Sequence, residues 1–305
     1  MSQERSLEKK GLMEAYNGVF QEYVDRGVWK EIPEDELRSW KEAGNPIHYV
    51  GHHCVMNDAS KSTPIRIVVD STVKNNYQGP SLNDVLIKGP NALNNLYQCL
   101  MRWRSYEVGL IFDLSKAYHQ LWTGPIEKFT LLVVWRNGDK TKDFTTYGHE
   151  CEGMGDKPAA LGLEIGKDIA SEKGEDIDPE AARKLKEDTY ADDGLTGGDK
   201  EVVKRMVGQR HVHVDGTVSY DGTMTQILAT VSFKAKSFIA SGEEDPEVLS
   251  KLGKVLGHAW DPPTDTISFK LTINLTGKNG ASKNGPDLTV EDVERMMLFR
   301  FTKRI

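Results

Sequence analysis

The apolar run Val108-Gly109-Leu110-Ile111-Phe112 ends on an aspartate, Asp113. It is too short for a helix and reads as a buried strand, so the fold must bury this segment and leave one carboxylate at its C-terminal end. About eighty residues later, Asp188-Thr189-Tyr190-Ala191 leads into Asp192-Asp193-Gly194 and out through Leu195-Thr196, the pattern of a hairpin with two carboxylates at its turn. Mg²⁺ prefers hard oxygen ligands, and two-metal phosphoryl transfer needs two ions about 3.5–4 Å apart. A carboxylate at a strand end beside two at a hairpin tip can cradle such a pair. Taken alone, Asp-Asp-Gly is also simply a favourable turn, because Asp and Gly suit those backbone angles.

The rest of the chain surrounds these segments with mixed helix and strand signals. Leu7, Leu12, Met13, Tyr16, Val19, Phe20 and Tyr23 predict one amphipathic helix over 7–26, stopped at Gly27. Strands are expected at 48–55 and at Ile65-Arg66-Ile67-Val68-Val69-Asp70, and a helix carries Leu93, Leu96, Leu100 and Trp103 to about Arg104. Two further strands, 129–135 and 142–147, flank Asn137-Gly138, a strong hairpin signal. Helices are expected at 156–171, 181–186 and 199–210, with the polar loop SEKGEDIDPE between the first two and β-rich segments at 212–220 and 225–239. Residues 277–286 read as a flexible tether and 289–302 as a helix with Thr289 as N-cap and Asp292 three residues on. The class is α+β.

With 305 residues and 38% apolar content, the chain can bury a sizeable core. No run of about eighteen apolar residues occurs and the start is charged, so neither a membrane span nor a secretory signal is expected, and a cytosolic or particle-internal location follows. Cys54, Cys99 and Cys151 fit neither a disulfide framework nor a zinc site. His52-His53-Cys54 has no partner at finger-like spacing and reads as strand, and His211 and His213 alternate as strand residues do. The net charge of −7 argues against a nucleic-acid partner, but it is unevenly spread: residues 46–105 and 250–305 each carry +3, while 106–249 carry −10 around the aspartates.

The run Asp113-Leu114-Ser115-Lys116-Ala117-Tyr118-His119-Gln120 resembles the first catalytic block of reverse transcriptases, with the aromatic residue five positions after the aspartate. Ser62-Thr63-Pro64-Ile65-Arg66-Ile67-Val68-Val69-Asp70 is similar to the fingers strand that carries a triphosphate-binding arginine, and Tyr190-Ala191-Asp192-Asp193 to the second carboxylate block. Glu152-Gly153-Met154-Gly155-Asp156-Lys157-Pro158-Ala159 resembles the block that packs on template and incoming base, although Glu152 stands where many retroviral members have glutamine. The resemblance implies that Asp113, Asp192 and Asp193 hold two Mg²⁺ or Mn²⁺ ions. It implies nucleotide contacts from Arg66, Leu114 and Tyr118, with Lys61 a second phosphate candidate and Tyr118 excluding a 2'-hydroxyl. Glu152, Gly153, Pro158 and Tyr190 would contact template or base, and Lys236, or Lys234, would protonate the leaving pyrophosphate; the alternative for either lysine is a solvated strand position.

Further stretches look like the Bel/Pao group of long-terminal-repeat retrotransposons: Tyr49-Val50-Gly51-His52-His53-Cys54-Val55, the segment 78–90 containing Ser81-Leu82-Asn83-Asp84, Lys254-Val255-Leu256-Gly257-His258-Ala259-Trp260-Asp261, and Phe301-Thr302-Lys303-Arg304-Ile305. This resemblance implies a right-hand polymerase of fingers and palm, an antiparallel palm sheet packed on helices, with the thumb largely absent. A helical lead-in at 1–45 would precede fingers at 46–105 and a palm with inserted fingers elements at 106–240. Palm/thumb-junction strands at 241–275, a linker at 276–287 and the start of a truncated following segment at 288–305 would complete it. The implied activity is RNA-directed DNA synthesis on an RNA or DNA template with a primer strand and deoxynucleoside triphosphates. The implied setting is a larger retroelement polyprotein, cytoplasmic and inside retroelement particles. Two rivals stay open: an RNA-dependent RNA polymerase, which usually shows Gly-Asp-Asp and a small or acidic residue in place of Tyr118, and a remnant that binds nucleic acid without polymerising.

Overall fold

The computed structural model describes residues 2–56, 65–74, 79–250 and 259–268, and within them the chain is a mixed α+β fold with antiparallel sheets. Helices α1 (Ser2–Lys10) and α2 (Met13–Asp25) replace the single helix expected over 7–26. Gly11, at φ +66°, divides them. The Leu12 amide donates to the Leu7 carbonyl at 2.9 Å and the Gly11 amide to that of Glu8 at 3.1 Å, a double C-terminal cap that requires the left-handed conformation. Gly27 ends α2 by the same pair of bonds, Val28 to Tyr23 and Gly27 to Val24, each 2.9 Å.

Strand β1 (Trp29–Glu31) and helix α3 (Glu34–Glu42) lead to the antiparallel pair β2 (Gly51–Met56) and β3 (Ile65–Asp70), in register from Gly51↔Asp70 to Met56↔Ile65. Alternation along β3 buries Ile65, Ile67 and Val69 and turns Arg66 outward. The short α4 (Leu82–Val85) is fixed by a reciprocal capping box between Ser81 and Asp84, and α5 (Leu96–Ser105) by the Asn95 side chain. Beyond β4 (Val108–Leu114), strands β5 (Leu132–Trp135) and β6 (Thr145–His149) pair as a hairpin whose last rung is Trp135↔Thr145. Asn137 and Gly138 do turn the chain, at φ +57° and +71°, but inside the longer connection 136–144 rather than as a two-residue link.

Helix α6 (Ala159–Gly174) runs past the expected end at 171, because its last turn is buried: the Ser171 hydroxyl donates to the Ala182 carbonyl at 2.8 Å, and a side chain at Gly174 would meet Ile227. Next come α7 (Pro179–Glu187), strands β7 (Thr189–Tyr190) and β8 (Asp193–Gly198), α8 (Lys200–Val207), and the hairpin β9 (Arg210–Val212) and β10 (Val218–Tyr220). The β-rich reading of 225–239 gives way at its start to α9 (Thr223–Ala229), where Met224, Ile227 and Leu228 are buried at helical spacing and packing overrides the β-branched composition. Strand β11 (Ala235–Ala240), helix α10 (Pro246–Leu249) and the pair β12 (Ala259–Asp261) and β13 (Thr266–Ser268) complete the described chain. The tether expected at 276–287, the segment at 288–305 and its helix at 289–302 lie outside the described residues.

Hydrophobic groupings on both faces of the central sheet and around the N-terminal helices hold these elements. The central sheet has the order β11-β4-β8-β7, every neighbour antiparallel. One face of it, Leu110, Phe112, Leu114 and Phe238, packs on Leu163 of α6, Leu185 of α7, Met206 of α8 and Ile227 of α9. The other, Ile111, Leu195 and Ile239, packs on Cys99 and Trp103 of α5, Val248 and Trp260. A second core joins Tyr16, Phe20 and Trp29 to Val50, Ile67, Val69, Leu131, Val133 and Trp135. The segment 1–45, expected as a helical lead-in, is packed into the fold: β1 pairs with β6, α1 and α2 share a core with β3 and β5, and Leu37 and Trp40 of α3 pack on Ile32, Phe129 and Leu132. Among the described residues no helix is long and apolar enough to cross a membrane.

Candidate active site

Asp113 and Asp193 are directly opposed partners on the neighbouring strands β4 and β8, at the end of the sheet from which the β7–β8 turn projects. Parity sets their direction. Asp113 shares its face with Ile111 and Asp193 with Leu195, so both carboxylates lie on the α5-facing side, beyond the reach of its packing. The turn between Tyr190 and Asp193 consists of Ala191 and Asp192, with Ala191 at φ +52°, a conformation that non-glycine residues rarely adopt and that two-residue hairpin turns demand. The Leu114 amide donates to the Asp192 carbonyl at 3.1 Å, tying the turn back to β4.

Gly194 has a different role from the turn chemistry that its place in Asp-Asp-Gly suggests. It is in β8, without positive φ, and a Cβ there would overlap the Phe112 ring of the adjacent strand. The glycine thus serves the packing beneath the carboxylates, and Ala191 absorbs the turn.

Charge crowding is visible in the titration of the group. Asp193 is pushed up to about 6, mainly by burial and then by Asp192 and Asp113. Asp113 is also raised, by burial first; Lys236 and Arg66 pull it down and Asp192 pushes it up. Lys236 stands at an irregularity in the β11–β4 register, and its Nζ lies 3.7 Å from the Asp113 carboxylate. For Asp193 the sign is clear: a folded value above the ordinary 3.8 adds stability below about 3.8 that is lost as pH rises through about 6. Asp193→Asn is accordingly expected to be more stable than the parent at pH 8 without divalent ions, by ~1–2 kcal/mol once solvent screening is allowed for, with the gap closing toward pH 4. Urea unfolding of both proteins in chelator at the two pH values measures it; a gap that ignores pH would refute the raised Asp193 pKa.

The other sequence candidates are distributed as follows. Tyr118 lies on the 3₁₀ turn Ala117–Gln120 just after β4, half-buried, with its hydroxyl pushed up by burial and by Asp192 and Glu164. Arg66 is exposed, and among the described residues no carboxylate pairs with it, though its charge is felt at Asp113. Leu114 is placed in the core at 3% exposure with its amide already used, so neither its side chain nor its amide is offered to a nucleotide. Tyr190 is the last residue of β7, paired with Asp193. Lys234 is exposed, and its carbonyl accepts from the Ser115 amide. Lys61 lies outside the described residues.

Glu152 and Gly153 belong to a loop anchored elsewhere. Asp156 accepts from the Ser71 hydroxyl and from the Gly153 amide; Asn83 donates to the Gly155 carbonyl and accepts from the Lys157 amide, each at 3.0 Å. Pro158 caps α6. Glu152, raised to about 7 by burial, has Asp156 and Glu127 as its charged neighbours rather than the three aspartates.

Two supports escaped the sequence reading. Asp188, 1% exposed, accepts from Arg102, the Tyr106 hydroxyl and the Thr196 hydroxyl at 2.7–2.9 Å and so locks the base of the hairpin. Lys167 of α6 reaches the hairpin from the opposite side. The signal for Lys167 was present: it interrupts the stripe Leu163, Ala170, Gly174 on the buried face of α6.

The donor set of the three aspartates suits a hard divalent ion, and a cation would favour the charged forms of Asp113 and Asp193, which burial first and neighbouring carboxylates second now disfavour. Among the described residues no three His, Cys, Asp or Glu side chains converge into a ready ligand group. No family model matches the chain, and no curated protein matches it.

Proposed function

We propose that this chain is the polymerising core of a reverse transcriptase of the Bel/Pao retrotransposon type, with β4, β7, β8 and β11 as its palm sheet and the β2–β3 pair as part of its fingers. The observation that carries the reading is the opposition of Asp113 and Asp193 in register on adjacent strands, with Asp192 at the turn beside them. In this reading two divalent ions, when bound, activate the primer 3'-hydroxyl and neutralise the triphosphate. Asp113, Asp192 and Asp193 hold them. Tyr118, next along the chain from β4 and within electrostatic reach of Asp192, lies under the sugar and turns away a 2'-hydroxyl. Arg66, projecting from β3 toward solvent, takes triphosphate oxygens, which its planar fork suits. Lys236, beside Asp113, hands a proton to the departing pyrophosphate.

The test is extension of a DNA primer on an RNA template with deoxynucleotides and Mg²⁺ or Mn²⁺. Processive copying supports the reading, and its absence under every template tried refutes it. Faster extension with ribonucleotides would assign an RNA polymerase. A second reading, a nucleic-acid-binding remnant, draws on the lack of convergence among the described carboxylates. It is the outcome if template binds with steep salt dependence but no primer is extended.

A further inference from the structure

Lys167 of α6 is a charged type of side chain at 1% exposure, 22 residues ahead of Thr189, and its ammonium bonds the β7–β8 hairpin. Its ammonium has three donors and three acceptors: Glu164 Oε1 at 2.8 Å, Thr189 Oγ1 at 2.9 Å and the Ala191 carbonyl at 2.8 Å. Two of the three belong to the hairpin and straddle Tyr190. The Ala191 carbonyl is the peptide that immediately precedes Asp192, on the residue held at φ +52°. The peptide that follows Asp192 is held from the other side by the Leu114 amide. Asp192 is therefore pinned at both of its flanking carbonyls, once by the central strand and once by α6.

Burying an ammonium is costly, and burial pulls Lys167 downward while Glu164 and Asp192 favour its charged form. An apolar side chain would fill the α6 stripe without that cost but would leave the Ala191 carbonyl of a strained turn without its donor. We infer that Lys167 is a positioning residue for the carboxylate cluster: through the Ala191 carbonyl and Thr189 it fixes where Asp192 stands, so that the cluster is set for a divalent cation. The inference rests on the reading of Asp113, Asp192 and Asp193 as a cation site. Against it stands a simpler role, in which Lys167 merely offsets the negative charge of the aspartates.

The two roles predict opposite signs. Lys167→Met removes a positive charge, which by Coulomb's law alone tightens cation binding, and removes the anchor, which weakens it. Mn²⁺ binding to the full chain, followed by the electron paramagnetic resonance of the free ion, is expected to be about tenfold weaker in Lys167→Met, the scale on which supporting hydrogen bonds tune metal affinity. Thr189→Val removes one acceptor of three and leaves every charge and the Ala191 bond in place; it is expected to weaken Mn²⁺ binding about threefold, less than the roughly tenfold loss of a whole supporting side chain. Equal or tighter binding by a folded Lys167→Met overturns the inference. If that variant does not fold, Thr189→Val decides: weaker binding supports the anchor and unchanged binding overturns it. A parent chain that binds no Mn²⁺ at all would instead overturn the reading of the aspartates.

Discussion

Asp113→Asn is expected to lower primer extension on the order of 10³-fold while leaving the fold intact. Both halves follow from where the residue sits. Asp113 occupies the central strand β4, opposed to Asp193 and paired with Lys236 at 3.7 Å, so it is the carboxylate that joins the two sides of the cluster. The amide is nearly isosteric, and burial already raises the Asp113 pKa, so the folded chain loses nothing by carrying a neutral group there. On the proposed reading, the transition state loses a charge that no neighbour can replace: Asp192 and Asp193 remain, but on the other strand and at its turn. Single-turnover extension at saturating deoxynucleotide, beside near-ultraviolet circular dichroism and a urea midpoint for each protein, separates chemistry from folding. A variant within about tenfold of the parent, a difference of only ~1.4 kcal/mol, would remove Asp113 from the reacting centre.

Why the aspartates were legible and their supports were not is a matter of range. The apolar run 108–112 and the Asp192-Asp193 pair carry their signal within a few residues, and strand parity then fixes a common face. Asp188 and Lys167 act across the chain, on Arg102 and Thr196 or on Ala191, and a lone charged residue in a helix reads as solvated until its stripe is examined. Gly194 was legible as a glycine but not for its reason, since the Phe112 ring that excludes a Cβ comes from a strand about eighty residues earlier in the chain. Local signals also misled where packing outvoted them. The β-branched 225–239 region begins as a helix because Met224, Ile227 and Leu228 meet the main core on one face, and the periodic 7–26 segment breaks because Gly11 can take the capping conformation.

The largest expected loss of stability comes from Trp29→Ala, about 4 kcal/mol, in the range for truncating a buried Trp. Trp29 is 0% exposed; its ring packs on Phe20 at 4.4 Å and Tyr23 at 5.1 Å from α2, and β1 ties it to His149 of β6. If the first 45 residues were a detachable lead-in, the substitution would leave the rest of the chain unmoved. The shared core predicts otherwise. At roughly 2–4 °C per kcal/mol for a large domain, the melting midpoint should fall by ~8–16 °C. Because residues 1–267 form one compact unit, it should fall as a single transition. The consequence reaches the site through two contacts of α2: Glu22 pairs with Lys116, and Tyr23 packs edge-on to His119 at 4.8 Å, so α2 braces the turn that carries Tyr118. Loosening α2 should therefore blur discrimination between deoxy- and ribonucleotides well below the new midpoint, where the sheet that carries the aspartates is still folded. An unshifted melt, or a shifted melt with sugar selection unchanged below it, would mean that α2 supports the fold but does not hold the Tyr118 turn.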